Sequence, residues 1–409
     1  MINLQPPYLP LPPSWFPGHM RKFLELLPAL LTRTDVVVEL RDARLPFTSI
    51  NSQLEGALRK WRAERGRRLR LTSTFLPRPC EHLIVFSKRD LVPEWGIEPF
   101  QRAMTNKFPE QTTFFATWQR QRDIQHLSDM LVNVAKQYPH SPELNVLVVG
   151  MPNVGKSTLL NSLRNIGIKG PTPKALQTSA QPGLTQALST RLKLSVDPPI
   201  YAFDSPGVML PFLGSGKAGA ERGVKLALIA GIKEGLYDVQ ALAEYLLYRL
   251  NVLNPIAPAY MELLPDDWSP TTNIEEFLEG VAYRMGMMTK GGEPDLARSA
   301  VYVVRWWRDH GARRTAAASL RAHDATYPDS IIQGWGFDLQ WHVTRDELKA
   351  QDRVSLIQSK MEECVDEHRK SMQQEEEEGV NTSATQKRKA TVAEQKMRRQ
   401  QRNFRRRKH

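Results

Sequence analysis

Residues 150–158 read GMPNVGKST, a run whose residue types hold phosphate. Gly150, Gly155, Lys156 and Ser157 fit G-x-x-x-x-G-K-[ST], and the run follows an apolar segment and precedes a helical one, the setting in which that pattern has physical meaning. Glycines let backbone N–H groups wrap phosphate oxygens, so residues Asn153, Val154, Gly155 and Thr158 join the expected binding set. Lys156 supplies a point charge to the outer phosphates, and Ser157 offers its hydroxyl to Mg²⁺. Further on, DSPG at 204–207 closes an apolar run. Asp204 there can hold Mg²⁺ through water, and the Gly207 N–H can meet a γ-phosphate. Thr185, in the stretch QPGLTQ between the two motifs, would complete the Mg²⁺ coordination; an ordinary loop threonine is the competing reading.

Earlier in the chain, SKRD at 87–90 has the chemistry of a guanine reader. The Asp90 carboxylate accepts from both the ring N–H and the exocyclic amine of guanine, a donor pair adenine lacks, while the Lys88 stem lies over the base. Ser87 belongs to the same segment, and the Ala116 N–H, in TFFAT at 113–117, is placed to meet the guanine carbonyl. In an ordinary small GTPase the phosphate loop comes first and the base reader last. Here that order is rotated.

Six β-branched or aromatic runs must position these groups: 35–41, 82–87, 112–117, 145–150, 188–196 and 200–204. Helical patterns separate most of them, at 20–32, 99–107 and 156–165. Alternation of this kind predicts an α/β fold with a mainly parallel six-stranded sheet covered on both faces, and the alternating run 188–196 suits an edge strand. The expected organisation is an N-terminal extension at 1–14, a nucleotide-binding domain at 15–214 with a basic insert at 59–80, and a small all-helical domain at 215–345. A helical extension at 346–373 and an acidic then basic tail at 374–409 complete it. The segment 208–223, which leaves DSPG for the helical domain, reads as a mobile connector.

The chain has 409 residues, a net charge of +12 and 41% hydrophobic residues. No apolar run approaches the roughly 18 residues of a membrane span. Its two cysteines, Cys80 and Cys364, lack metal-like spacing, which fits a reducing compartment. The charge is concentrated: residues 387–409 hold eleven Lys/Arg and one Glu, and residues 59–70 hold seven Lys/Arg and one Glu. Such clusters suit phosphate backbones of nucleic acid; a solvated tail or a localisation signal is the plainer alternative. Residues 1–14 carry no Lys or Arg and have prolines at 6, 7, 10, 12 and 13, so no targeting helix is legible there. Trp306, Trp307, Trp335 and Trp341 lie among apolar residues and read as core rather than as RNA-stacking platforms.

Base reader, phosphate loop, threonine loop and DSPG, in that order, resemble the circularly permuted GTPases that assist ribosome assembly. WFPGHM at 15–20 resembles the N-terminal signature of the bacterial large-subunit branch and its mitochondrial relatives, DARLPFTSIN at 42–51 a further family segment, and KGGEPD at 290–295 part of its C-terminal domain. The resemblance implies slow GTP hydrolysis to GDP and phosphate, stimulated by the ribosome. It also implies GTP/GDP and Mg²⁺ as ligands and the large ribosomal subunit with its rRNA as partner. Mitochondrial location and peripheral association with the inner membrane follow from the same branch. Ser87 stands where the family often has Asn or Thr, and Ala116–Thr117 where it has Ser-Ala or Ser-Gly. The residue after DSPG, Val208, has no polar atom to orient water, unlike the Gln of Ras-type enzymes. For that task the resemblance implies Asn153 as ligand of an activating K⁺ and His19 acting on the water as the catalytic residue; a passive turn histidine is the alternative. A nucleolar location, with the tail as nuclear signal, and a nucleotide-binding RNA scaffold without turnover are the competing readings.

Overall fold

The computed structural model describes residues 5–13, 15–71, 79–168, 170, 175–176, 188–314, 330–350, 352–377 and 388. Six strands form one sheet: β1 (Val36–Asp42), β2 (Glu81–Ser87), β3 (Thr112–Phe115), β4 (Leu144–Gly150), β5 (Leu192–Ser195) and β6 (Ile200–Asp204). Their spatial order is β3-β2-β1-β4-β6-β5, parallel except for β5, which runs antiparallel to β6 at the edge. β1 and β4 lie adjacent in the centre, and the phosphate loop leaves the C-terminal end of β4.

Both faces of the sheet are buried, which is why the central strands read as near-continuous apolar runs. On one face Val38, Leu40, Val146 and Val148 pack with Leu127 of α4 (Gln121–Gln137) and Leu159 of α5 (Lys156–Gly167). On the other, Val37, Leu147 and Val149 pack with Phe23 and Leu27 of α1 (Gly18–Leu31) and with Leu54 and Leu58 of α2 (Ser52–Leu71). A buried ion cluster interrupts this second face. Burial alone would raise the Glu39 carboxyl, but Arg41 and His82 hold it down at about 2. Arg41 reaches on to Glu55 and so fastens α2 to the sheet.

The basic segment expected as an insert is, through residue 71, the second half of α2. Residues 72–78 and the basic tail, apart from Arg388, lie outside the described residues.

α3 (Glu94–Lys107) follows β2. After the sheet come α6 (Gly216–Leu228), α7 (Val239–Leu253), α8 (Ile274–Met285), α9 (Leu296–Trp306) and a π turn at Trp307–Gly311. Two expectations need correction. The domain after 214 is not all-helical: β7 (Ser330–Trp335) and β8 (Leu339–Thr344) form an antiparallel hairpin. The hairpin docks back on the nucleotide domain because Trp335 fills a space beside Phe100 and Phe115 and donates its indole N–H to the Ala43 carbonyl at 2.9 Å. Asp338, in its turn, accepts from the Phe47 and Thr48 backbone N–H groups and the Thr48 hydroxyl. Nor is 208–223 a mobile connector throughout: Val208 and Met209 are core residues, and α6 begins at Gly216. The expected helical extension is the helix Arg353–Glu377, which packs along α3 and ends with Glu375 paired to Arg222 of α6. All four tryptophans singled out in the sequence are buried.

Candidate nucleotide site

The phosphate loop turns sharply between β4 and α5. Asn153 and Gly155 both take left-handed backbone angles, φ 60° and φ 89°. Gly155 suits that angle, and a Cβ there would strike the Trp118 indole nitrogen, so Trp118 rests directly on the loop. Lys156 folds over its own loop, donating to the Met151 carbonyl at 2.6 Å and the Gly150 carbonyl at 3.3 Å. Burial holds the Lys156 pKa down at about 8, with Asp204 acting in the opposite sense.

A pH dependence follows. An anionic phosphate favours charged Lys156, so nucleotide affinity should fall as pH rises through about 8, with protons taken up on binding just above that value. Calorimetry in two buffers of different ionisation enthalpy measures this. For stability the sign reverses. A buried lysine with a depressed pKa burdens the fold below pH ~8, and the burden lifts toward the unfolded value of ~10.4.

The metal side is assembled by β6. Ser157 donates to Asp204 Oδ2 at 2.6 Å, and the Asp204 N–H is held by the Ser189 hydroxyl at 2.7 Å. Asp204 Oδ1 is buried without a hydrogen-bond partner among the described residues, and burial raises the carboxyl pKa. An orphaned carboxylate oxygen beside a hydroxyl fits a hard divalent cation, so Ser157 and Asp204 would hold Mg²⁺, which neutralises phosphate charge when bound. Thr185 lies outside the described residues. Gly207 is wedged against the phosphate loop: a Cβ there would stand 2.7 Å from Pro152 N and Cα. Val208 is fully buried, its N–H bonded to the Gly150 carbonyl at 3.1 Å and its carbonyl accepting from Asn51 Nδ2 at 3.3 Å.

The expected base reader lies at the C-terminal ends of the neighbouring strands. Ser87 is buried and donates to the Arg41 carbonyl at 3.1 Å, pinning β2 to β1 behind the pocket. Lys88, at φ 60°, opens a 3-10 turn that carries Asp90, and its Nζ donates to Asp42 Oδ2 at 2.8 Å. No partner engages the Asp90 side chain among the described residues. The Arg89 N–H joins this turn to the Ala116 carbonyl at 3.2 Å. The expectation for the Ala116 N–H is corrected: it is bonded to the Phe86 carbonyl at 2.9 Å, extending the β2–β3 ladder, and is not free for the base. The Thr117 N–H is likewise taken, by Asp123 Oδ2 at 2.9 Å.

His19 stands in the first turn of α1. Its Nε2 is buried without a partner among the described residues, and burial lowers its pKa below the ordinary imidazole value. Asn153 donates its amide to the Ala230 carbonyl at 2.9 Å. Three residues escaped the sequence reading of the site: Asp42, Asn51 and Trp118. Asp42 and Asn51 sit in the quoted DARLPFTSIN segment, so their position was visible but not their reach.

A family model described as "50S ribosome-binding GTPase" matches residues 145–254, from β4 through α7. Mitochondrial GTPase 1 of Schizosaccharomyces pombe is 30% identical over 309 residues, covering 73% of this chain and 87% of that protein. The chain belongs to the mitochondrial GTPase 1 family. Mitochondrial ribosome-associated GTPase 1 of Xenopus tropicalis is 30% identical over 283 residues, covering 68% of this chain and 81% of that protein. The GNP-bound structure of YlqF from T. maritima is 20% identical with a TM-score of 0.41, covering 72% of this chain and 96% of that one. As a mitochondrial GTPase 1 relative the protein hydrolyses GTP. The rotated motif order does not scatter the motifs in space: β4 lies between β6, which ends in DSPG, and the half-sheet that ends in the expected base reader.

Proposed function

We propose that this protein is a mitochondrial GTPase that binds the maturing large ribosomal subunit and couples GTP hydrolysis to docking and release. The names of its relatives support the ribosomal and mitochondrial parts. The observation that carries docking is a groove of about 910 Å³ bounded by α2, the end of α3, the helix Arg353–Glu377 and Leu210–Phe212. Arg59, Lys60 and Arg62 are among the residues that line it, as are Phe108 and Phe212. Cations and aromatic rings lining one groove suit an RNA strand, whose phosphates and bases they meet separately. Leu210 is three residues beyond Gly207, so RNA in this groove and γ-phosphate in the pocket bear on one short segment.

On this reading GTP, Mg²⁺ and K⁺ act together. Ser157, Asp204 and Thr185 serve Mg²⁺, Asn153 serves K⁺ through its amide oxygen, Asp90 and Lys88 read the base, and Gly207 senses the γ-phosphate. Val208, apolar and sealed in the core, leaves water positioning to His19 once the subunit is bound. The basic tail grips rRNA, and any attachment to the inner membrane is peripheral. No helix among the described residues is long and apolar enough to cross a membrane.

The test is sedimentation of GTP-loaded protein with mitochondrial large subunits across a salt series, with subunit-stimulated single-turnover hydrolysis in K⁺ and Na⁺. Reversing Arg59, Lys60 and Arg62 to Glu should flatten the log–log salt dependence by roughly 2–3. His19→Ala should cost about 10²-fold in stimulated rate with nucleotide binding intact. A salt slope untouched by the reversal removes the groove from docking. Turnover equal to that of a Lys156→Ala control would favour the non-hydrolysing scaffold.

A further inference from the structure

Lys88 and Asn153 stand at the base and phosphate ends of the nucleotide site, and hydrogen bonds lead from both to one patch of the C-terminal domain. From Lys88 the path runs through Asp42, which is fully buried and also receives Arg44 Nε at 2.9 Å and Nη2 at 2.8 Å. Arg44 Nη1 donates to the backbone carbonyl of Arg308 at 3.0 Å, and its guanidinium lies 5.6 Å from the Trp307 ring. Arg308 sits in the π turn Trp307–Gly311 and spreads its own guanidinium over the end of α6. Its Nε donates to the Leu228 carbonyl at 2.8 Å, Nη2 to the Ala227 carbonyl at 2.9 Å, and Nη1 pairs with Glu234 at 2.9 Å.

From the phosphate end, Asn153 Nδ2 donates to the Ala230 carbonyl at 2.9 Å. Ala230 is the left-handed residue, φ 57°, that closes the α6 turn Arg308 grips. The two ends of the pocket are thus joined, outside the pocket, through Arg308.

Interdomain glue alone would not require the reader lysine and a phosphate-loop side chain as its terminal bonds. The lysine is held by its tip, so the position of its stem alongside the base depends on Asp42, and Asp42 is itself fixed by Arg44. Residues in π turns are concentrated at functional sites, where the extra residue re-aims neighbouring groups. Here the turn lets Arg308 offer its carbonyl to Arg44 and its side chain to α6 at once.

We propose that Arg308 is a positioning residue for the nucleotide pocket, and that movement of its turn away from Arg44 and Ala227 loosens both ends of the pocket together and speeds nucleotide release. A macromolecule that engages the C-terminal domain thereby sets nucleotide lifetime, and by reciprocity bound nucleotide tightens the turn. The inference rests on the nucleotide site proposed above, which is checked separately by the affinity of the wild-type chain for the same GDP analogue.

The experiment follows release of a fluorescent GDP analogue from the full chain in wild type, Arg308→Met and Arg308→Lys, together with KM and kcat for GTP. Arg308→Met should release GDP about 10-fold faster and raise KM to match, with kcat at saturating GTP changed far less. Arg308→Lys should fall between. Wild-type release from a folded Arg308→Met overturns the proposal. Should that variant fail to fold, hydrogen exchange on the wild type decides. GDP should slow exchange at amides 227–231 and 307–311, and unchanged exchange there overturns it equally.

Discussion

Asp90→Asn should raise the Kd for GTP and GDP by about 10²–10⁴-fold while leaving kcat at saturation within a few fold. The carboxylate has no partner among the described residues and sits in the middle of the 3-10 turn Arg89–Leu91, which the Arg89–Ala116 bond ties to the residue following β3. On the proposed reading it meets two donors on one edge of the base. Guanine supplies that pair, and each bond to a charged acceptor is worth about 1.5–3 kcal/mol. An asparagine offers one acceptor and one donor, so one guanine N–H loses its partner and the other loses the charge. Xanthine, with a carbonyl where guanine has its amine, matches the asparagine instead. KM for GTP and for xanthosine triphosphate, measured side by side, should cross over in the variant. An unchanged GTP KM would place the base elsewhere.

Gly207→Ala is the second large effect, and its origin is steric. The new methyl would lie 2.7 Å from Pro152 N and Cα and 2.8 Å from its Cγ, and the first two are backbone atoms of the phosphate loop that cannot turn aside. Either the DSPG turn lifts off the loop, removing the Gly207 N–H from the γ-phosphate, or Pro152 yields and the phosphate cradle opens. Losing one such aligned donor costs about 10²–10³-fold in rate. Single-turnover hydrolysis should fall accordingly, with GTP affinity reduced more than GDP affinity if the turn lifts, and both reduced if the cradle opens. A wild-type rate would show that the two loops separate during turnover and that Gly207 takes no part in it.

Much of this architecture was legible in the residues because local signals and tertiary demands agreed. All six strands were visible as apolar or alternating runs, and the ring of motif residues at their C-terminal ends followed from strand-turn-helix punctuation around Gly155 and Gly207. Three things were not legible. The hairpin is not legible because the tryptophans of IIQGWGFDLQWHV read as helical core. In fact alternation places Trp335, Leu339, Trp341 and Val343 together in one core, and Gly336 takes a positive φ at the turn. The engagement of the Ala116 N–H was not legible because a strand run at 112–117 does not show which of its N–H groups the neighbouring strand takes. The reach of Asp42, Asn51 and Trp118 depends on distances across the sheet that no local pattern encodes. Val208 is the converse case: its apolar nature excluded water chemistry from sequence alone, and burial under α1 and α2 explains why a valine stands there.

The docked hairpin has a consequence for how the chain is made. β1, β2, β3 and the helices that cover them leave a translating ribosome before the phosphate loop exists, and domains tend to fold as they emerge at about 5–20 residues per second. The outer aromatic layer of that half-sheet, Phe86, Phe100 and Phe115, receives its lid only when Trp335 arrives at the far end of the polypeptide. The place of the hairpin in the chain therefore leaves this aromatic surface uncovered during synthesis until residues 330–344 are made, well after the phosphate loop and DSPG.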